Sequence, residues 1–448
     1  MLRPLLLALF LTSTAASAHN DMDRAPEDFS TPAGKHVFVD FTKATYEITY
    51  DATAKTAVVH ALLAFNARST GRPLFDLVAE PTQIKLDGAV TRADVVALPA
   101  DASKVRSVVT AVTPGEHTLE VWTTLTQLVE FDATGTRSAF WTTDLNDRGY
   151  LERYLPANLE FDRVQMNLKL TFLNGTKTQR IYANGIVTAT GNNTFTVAFP
   201  EYFTSSSVFF HTTPEGAMSE TVFTIRSIDG RDLPAVIYKK PSPWGSDAGE
   251  LERLKTRTTS IIAELESDYG PFLHSSVTIY LAGSGGMEYC GATMTDSGAL
   301  GHELTHSYFA RGLIPANGNA GWIDEALASW RDNAYPRATA ISGTANMAGR
   351  ATYTRFTDYA AYTYGARFMS YLDGKFAAQG GLKSLLRKLI DEKAFTPYFT
   401  EDFRKWAEEH YGMPLEAEFK RVYGGVSDKQ SNHPIHRKMS LKEMREWL

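Results

Sequence analysis

The sequence predicts an α+β multidomain protein, with an N-terminal antiparallel β domain followed by a mainly helical domain. Apolar residues recur at every second position in much of the first half, and the period becomes 3.6 in the second half. A stretch containing two prolines and a glycine, residues 239–246, separates the two patterns. We therefore expect a β domain over 36–238, a second domain over 247–425 and a C-terminal tail over 426–448.

Two segments show the clearest strand pattern. Residues 46–50 alternate in polarity, and residues 164–172 do so over nine positions. A period of two is typical of half-buried strands. Turn signals punctuate the region at Asp87-Gly88, Asn174-Gly175, Asn184-Gly185 and Asp229-Gly230. Together these features predict a large antiparallel β domain.

The second half begins with a helical pattern. Asp247 can cap this helix, and Gly270-Pro271 ends it. One helical face carries the apolar residues Leu251, Leu254, Ile261, Ile262 and Leu265. A short strand is expected over 277–281, and further helices over 382–390 and 401–411. The last twenty residues are polar, which indicates a loosely held tail.

The first eighteen residues have the pattern of a secretory signal peptide. Arg3 is followed by an apolar run over 5–11, and Ala16-Ser17-Ala18 forms a small-x-small cleavage site. No later stretch approaches the roughly twenty apolar residues of a membrane span. We expect a mature protein that begins at His19 and is periplasmic or secreted.

The composition is that of a globular protein, with 43% hydrophobic and 21% charged residues and a formal net charge of −6. The chain lacks the excess of basic residues that would indicate nucleic acid or a membrane surface as a partner. Cys290 is the only cysteine, so no intrachain disulfide can form. We expect it to be a buried thiol without a catalytic role.

A metal-binding pattern lies in the second half. His302, Glu303 and His306 form an H-E-x-x-H motif, and Glu325 follows after eighteen intervening residues. Residues four apart share one helical face, so both histidines can bind one ion, with Glu303 beside the open coordination position. A second predicted helix, 322–330, supplies Glu325 as the third ligand. Two histidines and a carboxylate form an accepted set for catalytic zinc, so we expect one Zn²⁺ per chain.

A glycine-rich segment, 282–291, precedes this motif and contains Gly286, Met287 and Glu288. Glycines let another chain approach closely, and a peptide substrate can pair with an exposed strand edge. Glu288, at the end of that edge, can bind a cationic group such as a free α-amine. Without the zinc motif, a glycine-rich turn with an exposed glutamate would be the preferred interpretation.

Several motifs together resemble the aminopeptidase N family of gluzincin metallopeptidases. The sequence G-G-M-E-Y over 285–289 is similar to the family's G-A-M-E-N exopeptidase motif. H-E-L-T-H and W-I-D-E-A, at their eighteen-residue gap, are similar to its zinc signature. Residues 362–366, Y-T-Y-G-A, resemble its Y-x-K-G-A segment, and residues 153–162 resemble a segment of its β domain. The glycyl aminopeptidases, a related family with a reduced plan, are an alternative.

The resemblance implies a thermolysin-like, mainly helical zinc peptidase domain behind the β domain, and peptides as substrates. It implies that Glu303 serves as general base and then general acid, and that Tyr362 donates a hydrogen bond to the oxyanion. The neighbouring Tyr359 and Tyr364 are alternatives to Tyr362, since each can equally be a core residue.

The resemblance also implies a substrate-binding strand at Gly286 and Met287, with Glu288 as the α-amine ligand. A second amine-binding side chain is expected from the β domain. Asp147 is our candidate, and Asp144 and Glu152 are its alternatives.

This chain departs from the family pattern at several points. Tyr289 replaces the final asparagine of G-A-M-E-N, and Tyr364 replaces the lysine of Y-x-K-G-A. We also expect the large C-terminal helical domain of the family to be absent. The zinc motif and the resemblance together imply a zinc metallo-aminopeptidase. A zinc endopeptidase with an open cleft and a non-catalytic peptide-binding protein with a vestigial site are the alternatives.

Overall fold

A computed structural model describes the chain over residues 21–99, 103–141, 150–243, 247–283, 285–349, 353, 357–424 and 441–448. The predicted signal peptide lies outside the described residues. Within these ranges, no helix is long and apolar enough to cross a membrane.

The regular elements of the first region, residues 21–214, are almost all strands where the structure describes it. Its strands are β1 (Phe29–Thr31), β2 (Gly34–Val37), β3 (Val39–Asp51), β4 (Thr56–Ala67), β5 (Arg72–Phe75), β6 (Gln83–Leu86), β7 (Ala89–Thr91), β8 (Ala93–Ala97), β9 (Lys104–Val108), β10 (Gly115–Thr124), β11 (Val129–Asp132), β12 (Gly135–Phe140), β13 (Gln165–Leu173), β14 (Gln179–Ala183), β15 (Ile186–Gly191), β16 (Thr194–Ala198) and β17 (Phe210–Pro214). Short 3-10 helices span Asp21–Arg24 and Leu151–Arg153.

The largest sheet of this region has the order β15-β16-β13-β3-β4-β10-β6-β7. Burial alternates along β3 and β13, which confirms the strands predicted over 46–50 and 164–172. Smaller sheets have the orders β1-β2-β5-β9-β8 and β11-β12-β17-β14.

The predicted antiparallel arrangement is wrong for two strand pairs of this region. β13 runs parallel to β3, and β5 runs parallel to β2. Parallel neighbours require a crossover connection, and the chain between β3 and β13 supplies one by building most of the other strands. A period of two reports burial on one face and carries no information on strand direction.

The second region, residues 219–424, combines a sheet with helices. Its elements are β18 (Ser219–Arg226), β19 (Asp232–Lys239), α1 (Ala248–Tyr269), β20 (Val277–Leu281), β21 (Gly286–Tyr289), β22 (Ala292–Thr295), α2 (Leu300–Phe309), β23 (Ile314–Pro315), α3 (Ile323–Asp332), α4 (Ala366–Lys375), α5 (Gly381–Lys393), β24 (Pro397–Tyr398), α6 (Thr400–Tyr411) and α7 (Glu416–Phe419). A π-helical turn spans Ala361–Gly365, and 3-10 turns span Ala377–Gln379 and Lys420–Val422. After an undescribed stretch, α8 (Leu441–Glu446) follows.

The sheet of the second region lies between the two hydrophobic cores. Its order is β18-β19-β20-β22-β21, so β21 forms an edge. Met287, Tyr289 and Met294 belong to the core of the first region, whereas Val277 and Ile279 pack with the helices of the second. The sheet therefore presents one face to each core.

Two strands that precede the predicted linker belong to this sheet. β19 pairs with β20 in parallel, from Ala235 to Lys239, although β18 and β19 precede the predicted linker at 239–246. The linker thus joins β19 to α1, and the change of sheet occurs earlier, between β17 and β18. Alternation could not reveal this because strands of either sheet have the same period.

The helix predicted after the linker is α1, and all five residues of its predicted apolar face are buried. Gly270, with φ +99°, follows its last residue, as the Gly-Pro signal indicated. Asp247 occupies the N-cap position, as predicted, but its side chain does not cap the helix. The Asp247 carboxylate accepts hydrogen bonds from Ser219 Oγ at 2.6 Å and Ser242 N at 3.0 Å, and it makes no capping bond to the helix.

The expectation of a loosely held tail does not hold for residues 441–448. Met444 and Leu448 are buried in the core of the first region. The hydroxyl of Tyr280, on β20, donates a hydrogen bond of 2.6 Å to the Trp447 carbonyl. Three apolar side chains near the terminus provide enough burial to dock α8, although the segment as a whole is polar.

Asn184 links the first region to the sheet of the second region. Its side-chain nitrogen donates to the carbonyls of Ser207 at 2.7 Å and Cys290 at 2.8 Å. Its side-chain oxygen accepts a hydrogen bond of 2.9 Å from Phe209 N. The residue is 2% exposed, so water cannot replace these partners.

We expect Asn184→Ala to lower the free energy of unfolding by about 2–4 kcal/mol, because three buried backbone groups lose a partner. Chemical denaturation followed by circular dichroism measures this change. The control is Asn192→Ala, at an exposed asparagine of the same region, for which we expect a change below about 0.5 kcal/mol. Equal effects of the two substitutions would contradict the linking role.

Candidate active site

Helices α2 and α3 bring the three predicted metal ligands together. His302 and His306 lie one turn apart on α2, and Glu325 lies on α3. Glu325 Oε2 is 3.0 Å from His302 Nε2 and 3.4 Å from His306 Nε2. One ligand atom from each residue lies within 4.8 Å of the others, and all three residues are buried. This arrangement agrees with the spacing argument made from the sequence.

Two further carboxylates of α3 lie beside the Nδ1 atoms of the two imidazoles. Asp332 Oδ2 is 2.6 Å from His302 Nδ1, and Asp324 Oδ2 is 3.5 Å from His306 Nδ1. Such carboxylates orient metal-ligating histidines and fix their tautomers, here with Nε2 towards Glu325. Sequence reasoning missed both residues. The available signal was helical spacing, since Asp332 lies seven residues, or about two turns, after Glu325.

The donor set fits a zinc ion. Zinc at a catalytic site takes two histidines and a carboxylate, and the structure brings together one such set. Among the described residues, neither nitrogen of buried His306 has a hydrogen bond of normal geometry. Neither carboxylate oxygen of buried Glu303 has a hydrogen-bond partner there either. Buried polar atoms are rarely left in this state, and a divalent cation would compensate them.

The ionisation behaviour of the histidines points the same way. Burial lowers the pKa of His302, but its contacts with Asp332 and Glu325 outweigh burial and raise the pKa to about 9. For His306, burial again lowers the pKa, while the charges of Glu325 and Glu288 raise it well above its usual range. Both shifts reflect an excess of buried negative charge, which favours binding of a cation.

Glu303 lies directly under strand β21. A Cβ atom at position 286 would be 2.0 Å from Glu303 Oε1, so only glycine fits between the strand and the carboxylate. Glu303 is 1% exposed, and burial raises its pKa to about 8. The sequence indicated an approach of substrate at these glycines; the close approach that Gly286 allows in the structure is between the backbone of β21 and the candidate general base.

Tyr362 reaches the same site from the π-helical turn. Its ring stacks on that of His302 at 6.4 Å between centroids. Burial, followed by the charge of Glu325 and a side-chain interaction with it, raises the pKa of the Tyr362 hydroxyl well above its usual range. Tyr364, by contrast, donates its hydroxyl to the Gly343 carbonyl at 2.8 Å. Of these two tyrosines, Tyr362 is the one beside the metal ligands.

Strand alternation on β21 aims Glu288 at the metal ligands. Met287 and Tyr289 face the core of the first region, so Glu288 points to the opposite face, towards α2. Its carboxylate lies within 4.8 Å of ligand atoms of His306 and Asp324. Glu288 has no exposed surface, so the alternative interpretation of a glycine-rich turn with an exposed glutamate does not hold.

A residue that the sequence did not single out pairs with Glu288. Arg311 follows α2 and is 2% exposed, and its Nη2 lies 3.1 Å from Glu288 Oε1. No motif indicated this pair, because the two residues are joined only by the packing of β21 on α2.

The remaining predicted residues contribute less. Asp147 and its alternative Asp144 lie outside the described residues, and the other alternative, Glu152, is buried within the turn Leu151–Arg153. Cys290 is buried, and burial raises the pKa of its thiol to about 12. A thiol in this state is unreactive, which agrees with the role expected for it.

No protein-family model matches this sequence, and no curated protein matches it either. Solved structures do resemble the fold. An M1 zinc metallopeptidase from Deinococcus radiodurans has a TM-score of 0.62 and 15% identity, covering 90% of this chain and 96% of its own. The chain has the fold of the M1 zinc metallopeptidases.

Two other neighbours have longer chains. Leukotriene A4 hydrolase from Saccharomyces cerevisiae has a TM-score of 0.63 and 10% identity, covering 88% of this chain and 69% of its own. Aminopeptidase A from Legionella pneumophila, solved with aspartic acid, has a TM-score of 0.63 and 12% identity, covering 86% of this chain and 49% of its own. These likenesses support the predicted layout, a β-rich region followed by helices, and at these identities they concern the fold alone.

The Asp332 carboxylate provides a direct test of the metal centre. We expect Asp332→Asn to weaken zinc binding by about tenfold to a hundredfold, because His302 loses the charged group that orients it. Competition with a chromophoric chelator measures the dissociation constant. Asp268→Asn is the control, since Asp268 forms an ion pair of 2.6 Å with Lys383 and is not one of the carboxylates that contact the two histidines. Equal zinc affinity in the parent protein and Asp332→Asn would contradict the assigned role.

Proposed function

We propose that this protein is a zinc-dependent metallopeptidase, and specifically an aminopeptidase that removes N-terminal residues from peptides. The convergence of His302, His306 and Glu325, with Glu303 and Tyr362 at the same place, carries the proposal. The fold supports it, since a neighbour with 15% identity was solved with a Tyr-Ser-Ala substrate bound. On the N-terminal pattern alone, we also propose that the protein is exported.

His302, His306 and Glu325 would hold the zinc ion. When bound, zinc supplies Lewis-acid chemistry that acidifies water and polarises the scissile carbonyl. Glu303 accepts the proton of the attacking water at its carboxylate and passes it to the leaving amine. Burial raises the pKa of this carboxylate towards neutrality, the range in which one group can both accept and return a proton.

The Tyr362 hydroxyl donates a hydrogen bond to the oxygen that gains charge during attack. Its raised pKa keeps it protonated, so it remains a donor at neutral pH. The π-helical turn holds this side chain against His302, which limits the reorganisation needed during the reaction.

Strand β21 would bind the substrate. It is a sheet edge, so an extended peptide can add to it through main-chain hydrogen bonds. Gly286 lets the strand itself lie against Glu303, and the buried Met287 side chain fixes the strand on the core of the first region. Glu288, which points to the metal ligands, accepts hydrogen bonds from the substrate's α-amine.

A zinc endopeptidase is the second candidate function. The ion pair between Glu288 and Arg311 favours it, since the guanidinium offsets the charge that would attract a free α-ammonium group. A non-catalytic peptide-binding protein is less consistent with the site, because it would not require Glu303 to remain under β21.

The deciding experiment compares matched peptides with free and acetylated N-termini, using zinc-loaded protein. We expect hydrolysis of the free peptide and little hydrolysis of the acetylated one, because acetylation removes the group that Glu288 binds. Glu303→Gln should reduce hydrolysis by at least about a hundredfold, and removal of zinc with a chelator should abolish it. Mass spectrometry of the products identifies the cleaved bond.

Cleavage of both peptides at equal rates would exclude the aminopeptidase and leave the endopeptidase. Cleavage of neither peptide by the zinc-loaded protein would contradict both peptidase proposals.

We expect Tyr362→Phe to lower kcat by about a hundredfold or more with little change in KM, since its hydrogen bond matters most in the transition state. Steady-state kinetics on the free peptide measures both constants, and the zinc content is checked in the same samples. Tyr364→Phe is the matched control, because that hydroxyl bonds to Gly343. A similar loss in both variants would assign Tyr362 a structural role only.

A further inference from the structure

Arg311 is a buried cation that the proposed mechanism does not use. Its Nη2 donates hydrogen bonds of 3.1 Å to both the carboxylate Oε1 and the main-chain oxygen of Glu288. Its Nη1 donates a hydrogen bond of 2.5 Å to Ser206 Oγ in the first region. The guanidinium carbon lies 5.8 Å from the centre of the Tyr150 ring. One side chain thus contacts three segments that are distant in sequence.

These contacts restrict the orientation of the Glu288 side chain more than an ion pair alone would. Because one guanidinium nitrogen binds both the side chain and the backbone of Glu288, the orientation of the carboxylate relative to β21 is constrained. The bond to Ser206 anchors the arginine itself to the first region. A lysine would keep the positive charge at this place but would lack the planar fork that makes these contacts simultaneously.

We propose that Arg311 is a positioning residue that sets the selectivity of this site for free N-termini. It holds the Glu288 carboxylate within 4.8 Å of ligand atoms of His306 and Asp324, on the edge strand where we propose that the N-terminus of the substrate lies. This inference rests on the proposed aminopeptidase function. It also explains how Glu288 can serve as an amine ligand while paired with a cation, since the recognition depends on hydrogen-bond geometry.

The test compares Arg311→Lys, Glu288→Gln and the double variant in the zinc-loaded full chain. The quantity measured is the ratio of kcat/KM for the free peptide to that for the acetylated peptide. We expect each single substitution to lower this ratio by about tenfold or more, mainly through KM of the free peptide. The double variant should be no worse than Glu288→Gln alone, because both changes remove the same contact with the amine.

A second, milder variant tests the same role if Arg311→Lys fails to fold. Ser206→Ala removes the anchor of Arg311 but leaves its pairing with Glu288, so we expect the ratio to fall by a few fold. Thermal unfolding and zinc content are measured for every variant. Arg231→Lys is the control for arginine replacement, since Arg231 pairs with Asp229 and should leave the ratio unchanged.

The outcomes separate this inference from the function on which it rests. If the parent protein prefers the free peptide, an unchanged ratio in Arg311→Lys overturns the positioning role alone. Equal losses on both peptides, or additive losses in the double variant, overturn it as well. If the parent protein shows no preference or no hydrolysis, the aminopeptidase proposal fails, and the role of Arg311 fails with it.

Discussion

The packing of α2 against α3 is the contact on which the candidate site depends. It buries His302 and His306 against Glu325 and places Asp324 and Asp332 behind the two imidazoles. Burying so many carboxylates is unfavourable unless positive charge compensates them, and a divalent cation held by the two histidines and Glu325 would add to that compensation. The site is therefore arranged for a cation. The surrounding apolar core of the second region supplies the free energy that keeps the two helices in contact.

The two regions contribute to one site because the sheet of the second region lies between their cores. Met287 and Tyr289 hold β21 on the first region, and strand alternation then turns Glu288 towards α2. Asn184 and Arg311 add hydrogen bonds across the same boundary. The position of the β21 edge, where we propose that substrate binds, consequently depends on the first region, even though the candidate metal ligands all belong to the second.

At two positions where this sequence differs from the motifs that it resembles, the side chains have structural contacts of their own. Tyr289, which replaces an asparagine, packs edge-on against Phe209 at 5.3 Å between ring centroids and is 3% exposed. Tyr364, which replaces a lysine, bonds to the Gly343 carbonyl. Both substituted side chains thus serve packing, whereas Glu303, Tyr362 and the three metal ligands converge on one another.

The sequence by itself determined the parts of this protein that depend on local spacing. The four-residue interval between the histidines places them on one helical face, and alternation predicted β3 and β13. Tertiary structure alone decided which residues from distant segments meet. It paired Arg311 with Glu288, placed Asp332 behind His302 and assigned β18 and β19 to the second sheet. The physical reason is that these contacts depend on how whole elements pack, and a local pattern of polarity is the same whichever partner an element finds.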